Sequence, residues 1–212
     1  FTDYEETRII FPSGIRIADA YSLDLSVLDV PVDAVITVSG LPAGLSYNPL
    51  SRAITGTVSG KSGTFNVVIK ATRGKVVLST KRFALVVGDF PKALASRYEM
   101  LLNTTDSNGN TPVGVARITI SAGIWTGSFD YPGQPRASGR GTFVLVPGQA
   151  KANLDMLIPA TKSAAGVRVV CEIGSTSDLV AGTFTIVNAN NVPGGSTGSI
   201  NGFRLSKAGQ NP

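Results

Sequence analysis

The chain holds 212 residues, 42% of them apolar and 16% charged, with a formal net charge of +5. That balance excludes an intrinsically disordered segment, and no run approaches the roughly 20 consecutive apolar residues of a membrane-spanning helix. Histidine is absent and cysteine occurs once, which removes Ser/His and Cys/His dyads, His-based metal sites and an internal disulfide.

The first predicted strand shows the period of a sheet with one buried face: Tyr21, Leu23, Leu25 and Val27 alternate with Ser22, Asp24 and Ser26. Gly40, Pro42, Gly44 and Pro49 then mark turns, because glycine accepts positive φ and proline fixes φ. Phe65, Val67, Ile69 and Ala71 alternate with Asn66, Val68, Lys70 and Thr72 in a later strand. Short strands divided by such turns predict a sandwich of two antiparallel sheets, held by packing alone. The stretch Gly40–Thr72 carries Gly-Leu-Pro-x-Gly-Leu-x-Tyr, then Ile-x-Gly-Thr, then Gly-Thr-Phe and an alternating strand. With Phe11–Val27 before it, this stretch resembles the Putative Ig domain family, cadherin-like modules of bacterial surface proteins. The resemblance covers about residues 1–89. It implies an Ig-like β-sandwich and an extracellular, cell-surface or periplasmic location, and it implies no reaction. The chain opens at Phe1 without a basic segment followed by an apolar one, as expected of a mature or trimmed product.

A second domain is predicted for residues 90–212, after a linker at Gly88–Pro91. One helical turn is expected around Pro91–Ala95, and eight strands follow at about 97–103, 113–121, 124–131, 139–147, 150–158, 166–173, 179–187 and 199–205. The connections between them are mostly short and rich in Gly, Pro, Ser or Asn, which favours antiparallel neighbours. Eight such strands can close into a small up-and-down barrel, with a second sandwich as the alternative. The fold class expected is therefore all-β throughout. Three stretches share a theme: Ile54-Thr55-Gly56-Thr57, Trp125-Thr126-Gly127-Ser128-Phe129 and Val180-Ala181-Gly182-Thr183-Phe184. Glycine inside a strand marks a bulge, a bend or a close backbone approach.

Catalytic chemistry has little to stand on. Cys171 shares the apolar parity of Val167, Val169 and Ile173 and lacks a histidine to activate it. Paired carboxylates would have to come, in the second domain, from Glu99, Asp106, Asp130, Asp155, Glu172 and Asp178. Asp155 and Glu172 lie on the outward parity of their strands. No phosphate-binding glycine loop precedes a helix. The expectation is a non-enzymatic protein without catalytic residues, cofactor or metal.

Some cadherin-like relatives hold calcium, and the resemblance places an acidic residue after Ala71-Thr72. Here Arg73-Gly74-Lys75 stands in its place, cations where calcium needs anionic oxygens. The loop Asp106-Ser107-Asn108-Gly109-Asn110 reads as a polar hairpin turn rather than an EF-hand loop.

Trp125, Phe129 and Tyr131 share one parity of a strand. They form either an exposed platform for sugar rings, with Asp130 or Gln134 supplying hydrogen bonds, or part of the core, where large aromatic side chains usually lie. Charge is unevenly spread. Residues 34–88 carry Arg52, Lys61, Lys70, Arg73, Lys75, Lys81 and Arg82 and no carboxylate. The simplest expectation is that they pair with acidic early strands, with a patch for an anionic polysaccharide or teichoic-type polymer as the alternative; nucleic acid is not expected, for want of a recognition helix. Three roles remain: an adhesion or assembly module whose partner is another protein or a surface glycan, a carbohydrate-binding protein, or a carrier of a small apolar ligand inside the second domain.

Overall fold

The computed structural model describes residues 14–106, 109–188 and 190–205. The chain divides into two compact units, Phe1–Asp89 and Phe90–Pro212.

The first unit contains β1 (Ile15–Arg16), β2 (Ala20–Asp24), β3 (Val35–Ser39), β4 (Leu45–Asn48), β5 (Ala53–Thr57), β6 (Gly63–Arg73) and β7 (Val76–Gly88). They form two sheets, in the orders β1-β7-β6-β3 and β2-β5-β4. Only the β1–β7 pairing is parallel. Tyr21, Leu23, Ile36, Ile54, Val67, Ile69, Leu85 and Val87 are buried, as strand alternation requires of one inward face per sheet. Val27, expected on that face, is 51% exposed. The strand has already ended, because Ser26 donates from its backbone N and its Oγ to the Asp24 carboxylate, each at 2.8 Å. A turn follows, and Leu28 takes the buried place.

Two glycines explain the sequence pattern between β4 and β5. Gly44 and Gly56 adopt φ of +86° and +143°, and a Cβ on Gly56 would lie 2.1 Å from the Gly44 carbonyl oxygen. Any side chain at Gly56 would push these strands apart. Along β7, Lys81 stands in register with buried Ile69 and so shares its inward face. Among the described residues, Val76–Val86 pair only with β6. An inward-facing lysine on such an edge discourages a further strand from adding.

The second unit contains β8 (Arg97–Asp106), β9 (Gly109–Ser121), β10 (Ile124–Asp130), β11 (Ala137–Thr142), β12 (Lys151–Ile158), β13 (Gly166–Gly174), β14 (Leu179–Val187) and β15 (Pro193–Leu205). All eight join one antiparallel sheet in the order β11-β10-β9-β8-β15-β14-β13-β12. Its two outer strands meet and nearly close a barrel. Leu145 bridges Ala152, and the Val146 N–H donates to the Lys151 carbonyl at 2.8 Å. A Cβ on Gly139 would sit 3.0 Å from Ile158 Cα, so a glycine makes the seam this narrow. The strand expected over 139–147 stops at Thr142, since its partner β10 begins at Ile124 opposite that residue. Beyond it β10 offers no further partner, and the Phe143 N–H donates to the Gly123 carbonyl instead.

Inside the barrel, large side chains stand opposite glycines. Trp125 is in register with Gly141, Phe184 with Gly198 and Met100 with Gly202. A Cβ on those three glycines would come within 2.6 Å of Trp125, 3.0 Å of Phe184 and 2.6 Å of Met100. Each bulky side chain thus uses the space its neighbour leaves, which is how the interior of a small barrel fills. The helical turn is a 3-10 turn at Lys92–Leu94. Its Leu94 is fully buried, and the Leu94 carbonyl accepts the Tyr98 hydroxyl at 3.0 Å.

Residues 1–89 and 90–212, expressed separately, are each expected to unfold cooperatively, because each owns a buried core. Circular dichroism with thermal melting checks this, and a non-cooperative melt for either piece would place the boundary elsewhere.

Candidate functional site

In the second unit the sequence singled out one aromatic strand as a ligand platform, and the structure turns two of its three rings inward. Trp125 is 3% exposed and Phe129 is 0%. Phe129 lies against Gly114, where a Cβ would come within 2.7 Å of the ring. Neither ring offers a face to a sugar. Tyr131, one residue beyond the end of β10, is half-buried and tilts against Phe129 at a centroid distance of 5.9 Å. It lines an open groove of about 330 Å³ with Leu101, Pro112, Val115, Asp130 and Pro132. The inward parity of the strand continues to Phe129, and the turn after Asp130 carries Tyr131 out to the lip.

Asp130 and Gln134, the hydrogen-bonding partners expected beside a sugar, are already engaged. Asp130 accepts from Arg136 Nε at 2.6 Å and also pairs with Arg117. Gln134 Oε1 accepts from the Ala165 N–H at 2.6 Å. The hydrogen bond from Arg136, with the charges of Arg136 and Arg117, holds the Asp130 carboxyl below the usual carboxylate range. A lowered folded-state value means that the stabilisation is present above the unfolded value near 4 and is lost as pH falls. Asp130→Asn is therefore expected to cost less than about 1 kcal/mol at neutral pH. That difference from wild type should vanish in acid, as followed by denaturant melts across pH.

The remaining carboxylates are likewise structural. Asp155 binds Arg168 through hydrogen bonds of 2.7 and 2.5 Å, Glu172 binds Lys151 at 3.0 Å, Glu99 binds Arg117 at 3.1 Å, and Asp178 binds Arg204 at 2.7 Å. All four salt bridges lie on the outer surface, so Glu99, Asp130, Asp155, Glu172 and Asp178 each meet a cation, while the Asp106 side chain lies outside the described residues. Cys171 is buried, and burial pushes its thiol up to about 12, so it is a protonated core residue at neutral pH. No group of three or more His, Cys, Asp or Glu that could hold a metal occurs among the described residues. In the oxygen-rich turn Asp106–Asn110, Ser107 and Asn108 lie outside the described residues.

In the first unit, Arg73 meets Asp33 at 2.5 Å, while the Arg52 guanidinium donates to the Val32 carbonyl at 3.0 Å. Lys61, Lys70, Lys75, Lys81 and Arg82 form no ion pair among the described residues. The expected neutralisation by early carboxylates is thus seen once there. Asp3, Glu5 and Glu6 lie outside the described residues. Arg16 and Asp19 pair locally instead, at 3.3 Å across the turn from β1 to β2.

With the two three- and four-stranded sheets and their paired glycines in place, the comparison with known families becomes interpretable. Residues 13–88 match the Putative Ig domain family. No curated protein matches the chain. The match ends at Gly88, the last residue of β7, so the eight-stranded sheet lies wholly outside it. The Gly44–Gly56 contact is the part of the family pattern with a visible physical role. The Arg73-Gly74-Lys75 turn, which stands where the resemblance has an acidic residue, carries an ion pair to Asp33.

A second exterior groove, of about 410 Å³, crosses β8, β9 and β10. Residues at its sides are Arg97, Arg117, Thr119, Thr126 and Ser128. Sequence reasoning passed over it, because its side chains come from three strands and none forms a local motif. The signal available was the outward parity of Arg97, Thr119, Thr126 and Arg140, legible only once the register of the strands is known.

Proposed function

We propose that this chain is a non-enzymatic module of a bacterial extracellular or surface protein, serving adhesion or assembly through contacts with another protein or a surface glycan. The observation that carries the reading is the match of residues 13–88 to the Putative Ig domain family, joined to a sandwich of the corresponding extent. The described chemistry fits it: the cysteine is buried and protonated, and Glu99, Asp130, Asp155, Glu172 and Asp178 serve ion pairs. Sandwiches and small barrels present rigid exteriors whose side chains need only be complementary to a partner.

Carbohydrate binding is the second reading, supported by the half-exposed Tyr131 ring over its groove. The carrier reading draws less support, since large side chains occupy the space above glycines within the barrel. Binding of the purified chain to arrays of glycans and of extracellular matrix proteins tests these alternatives. A matrix-protein hit supports adhesion and a specific glycan hit supports the carbohydrate reading. Saturable uptake of an apolar dye by the barrel, with no array hit, would favour the carrier.

A further inference from the structure

The groove across β8, β9 and β10 has a chemical character that the Tyr131 groove lacks. Cross-strand register places Arg97 opposite Thr119, Thr119 opposite Thr126, and Thr126 opposite Arg140. All four are exposed, while Tyr98, Ile118, Ile120 and Trp125 beside them in sequence are buried. They therefore form one outward row. Neighbouring strands lie about 4.8 Å apart, so the two arginine backbones stand about 14 Å apart with two hydroxyls between them. Arg117 and Ser128 line the groove's other side, themselves in register.

Charge decides what such a groove suits. Arg97 and Arg140 have no ion-pair partner among the described residues. Glu99 is the nearby carboxylate in the adjoining row, and Arg117 engages it at 3.1 Å. Two unneutralised guanidiniums, each a planar fork of donors matched to oxyanions, thus flank a hydroxyl-lined floor. Hydroxyls in that position suit the hydroxyls of a sugar ring. The aromatic side chain at the groove, Tyr98, is buried and offers no face for stacking nucleobases.

We propose that this groove binds an acidic polysaccharide, with Arg97 and Arg140 gripping successive sulfate or carboxylate groups and Thr119, Thr126 and Ser128 contacting the sugar between them. This deepens the reading of the chain as a binding module and rests on it. Attraction of this kind weakens with salt, because exposed charges are screened over about 8 Å at physiological ionic strength.

The test uses the full 212-residue chain and four probes of matched length: heparin for sulfate, polygalacturonate for carboxylate, dextran as a neutral glycan, and single-stranded DNA. Salt-sensitive binding to heparin or polygalacturonate is expected, and which of the two is tighter identifies the anion. Arg97→Gln with Arg140→Gln should weaken it roughly tenfold or more at unchanged melting temperature. Lys70→Gln with Arg82→Gln, in the first unit, should leave it intact. Equal loss in the first-unit variant, or equally tight DNA binding with the same loss, would overturn the groove as a polysaccharide site. Absence of binding to both acidic glycans would also overturn it. The module reading would then still stand or fall on protein and neutral-glycan array hits.

Discussion

Trp125→Ala is expected to destabilise the second unit by about 3–5 kcal/mol, the ordinary cost of emptying a large aromatic site in a core. The indole is 3% exposed and occupies the space above Gly141, its partner across the ladder. Alanine would leave both positions without bulk, and a strand pair with a glycine and an alanine facing inward cannot close that gap without moving the sheet. The melting transition of the second unit should fall by more than about 10 °C. Phe129→Ala, which empties the space against Gly114, should behave similarly. Tyr131→Ala should cost much less, since that ring sits at the lip of a groove. The comparison separates structure from recognition. A Trp125 variant that melts like wild type and loses glycan binding would restore the exposed-platform reading that the structure sets aside.

Gly182→Ala is expected to cost about 3 kcal/mol, the upper end for forcing one extra carbon into a packed interior. A Cβ there would lie 2.2 Å from the Val170 carbonyl oxygen and 2.7 Å from Cys171 Cβ. The nearest obstacle is backbone held in the β13–β14 ladder, where Gly182 faces Cys171. No rotamer change can relieve such a contact, so the strands themselves must separate. Gly174→Ala is the control. Its Cβ would find nothing closer than 3.9 Å from Lys151 Cβ, and its stability should stay within about 0.5 kcal/mol of wild type. Denaturant melts of both variants decide the matter. Equal stability would mean that the recurring glycines reflect strand composition and not close approach.

Those glycines show how local sequence and tertiary structure divide the explanation. The strand theme was legible in Ile54–Thr57, Trp125–Phe129 and Val180–Phe184, and so was its general meaning, because a glycine inside an alternating strand needs a reason. What each glycine accommodates was not legible. Gly56 admits the Gly44 carbonyl, Gly127 the Ile118 side chain and Arg117 carbonyl, and Gly182 the Val170 carbonyl. Those neighbours lie 9 to 12 residues away in sequence and come together through strand register.

By itself the sequence determined the all-β class, the Ig-like character of the first unit and the number of strands in the second, because period-two alternation and turn residues act over a few positions. It also determined the absence of histidine chemistry, which is a matter of composition. The tertiary structure alone decided which outward residues become neighbours. Arg97, Thr119, Thr126 and Arg140 span 44 positions of chain yet form one row, since pairing in register places one residue of each strand beside the next. The same register turned Trp125 inward over Gly141, and alternation could not choose that side, because both faces of a strand repeat with the same period.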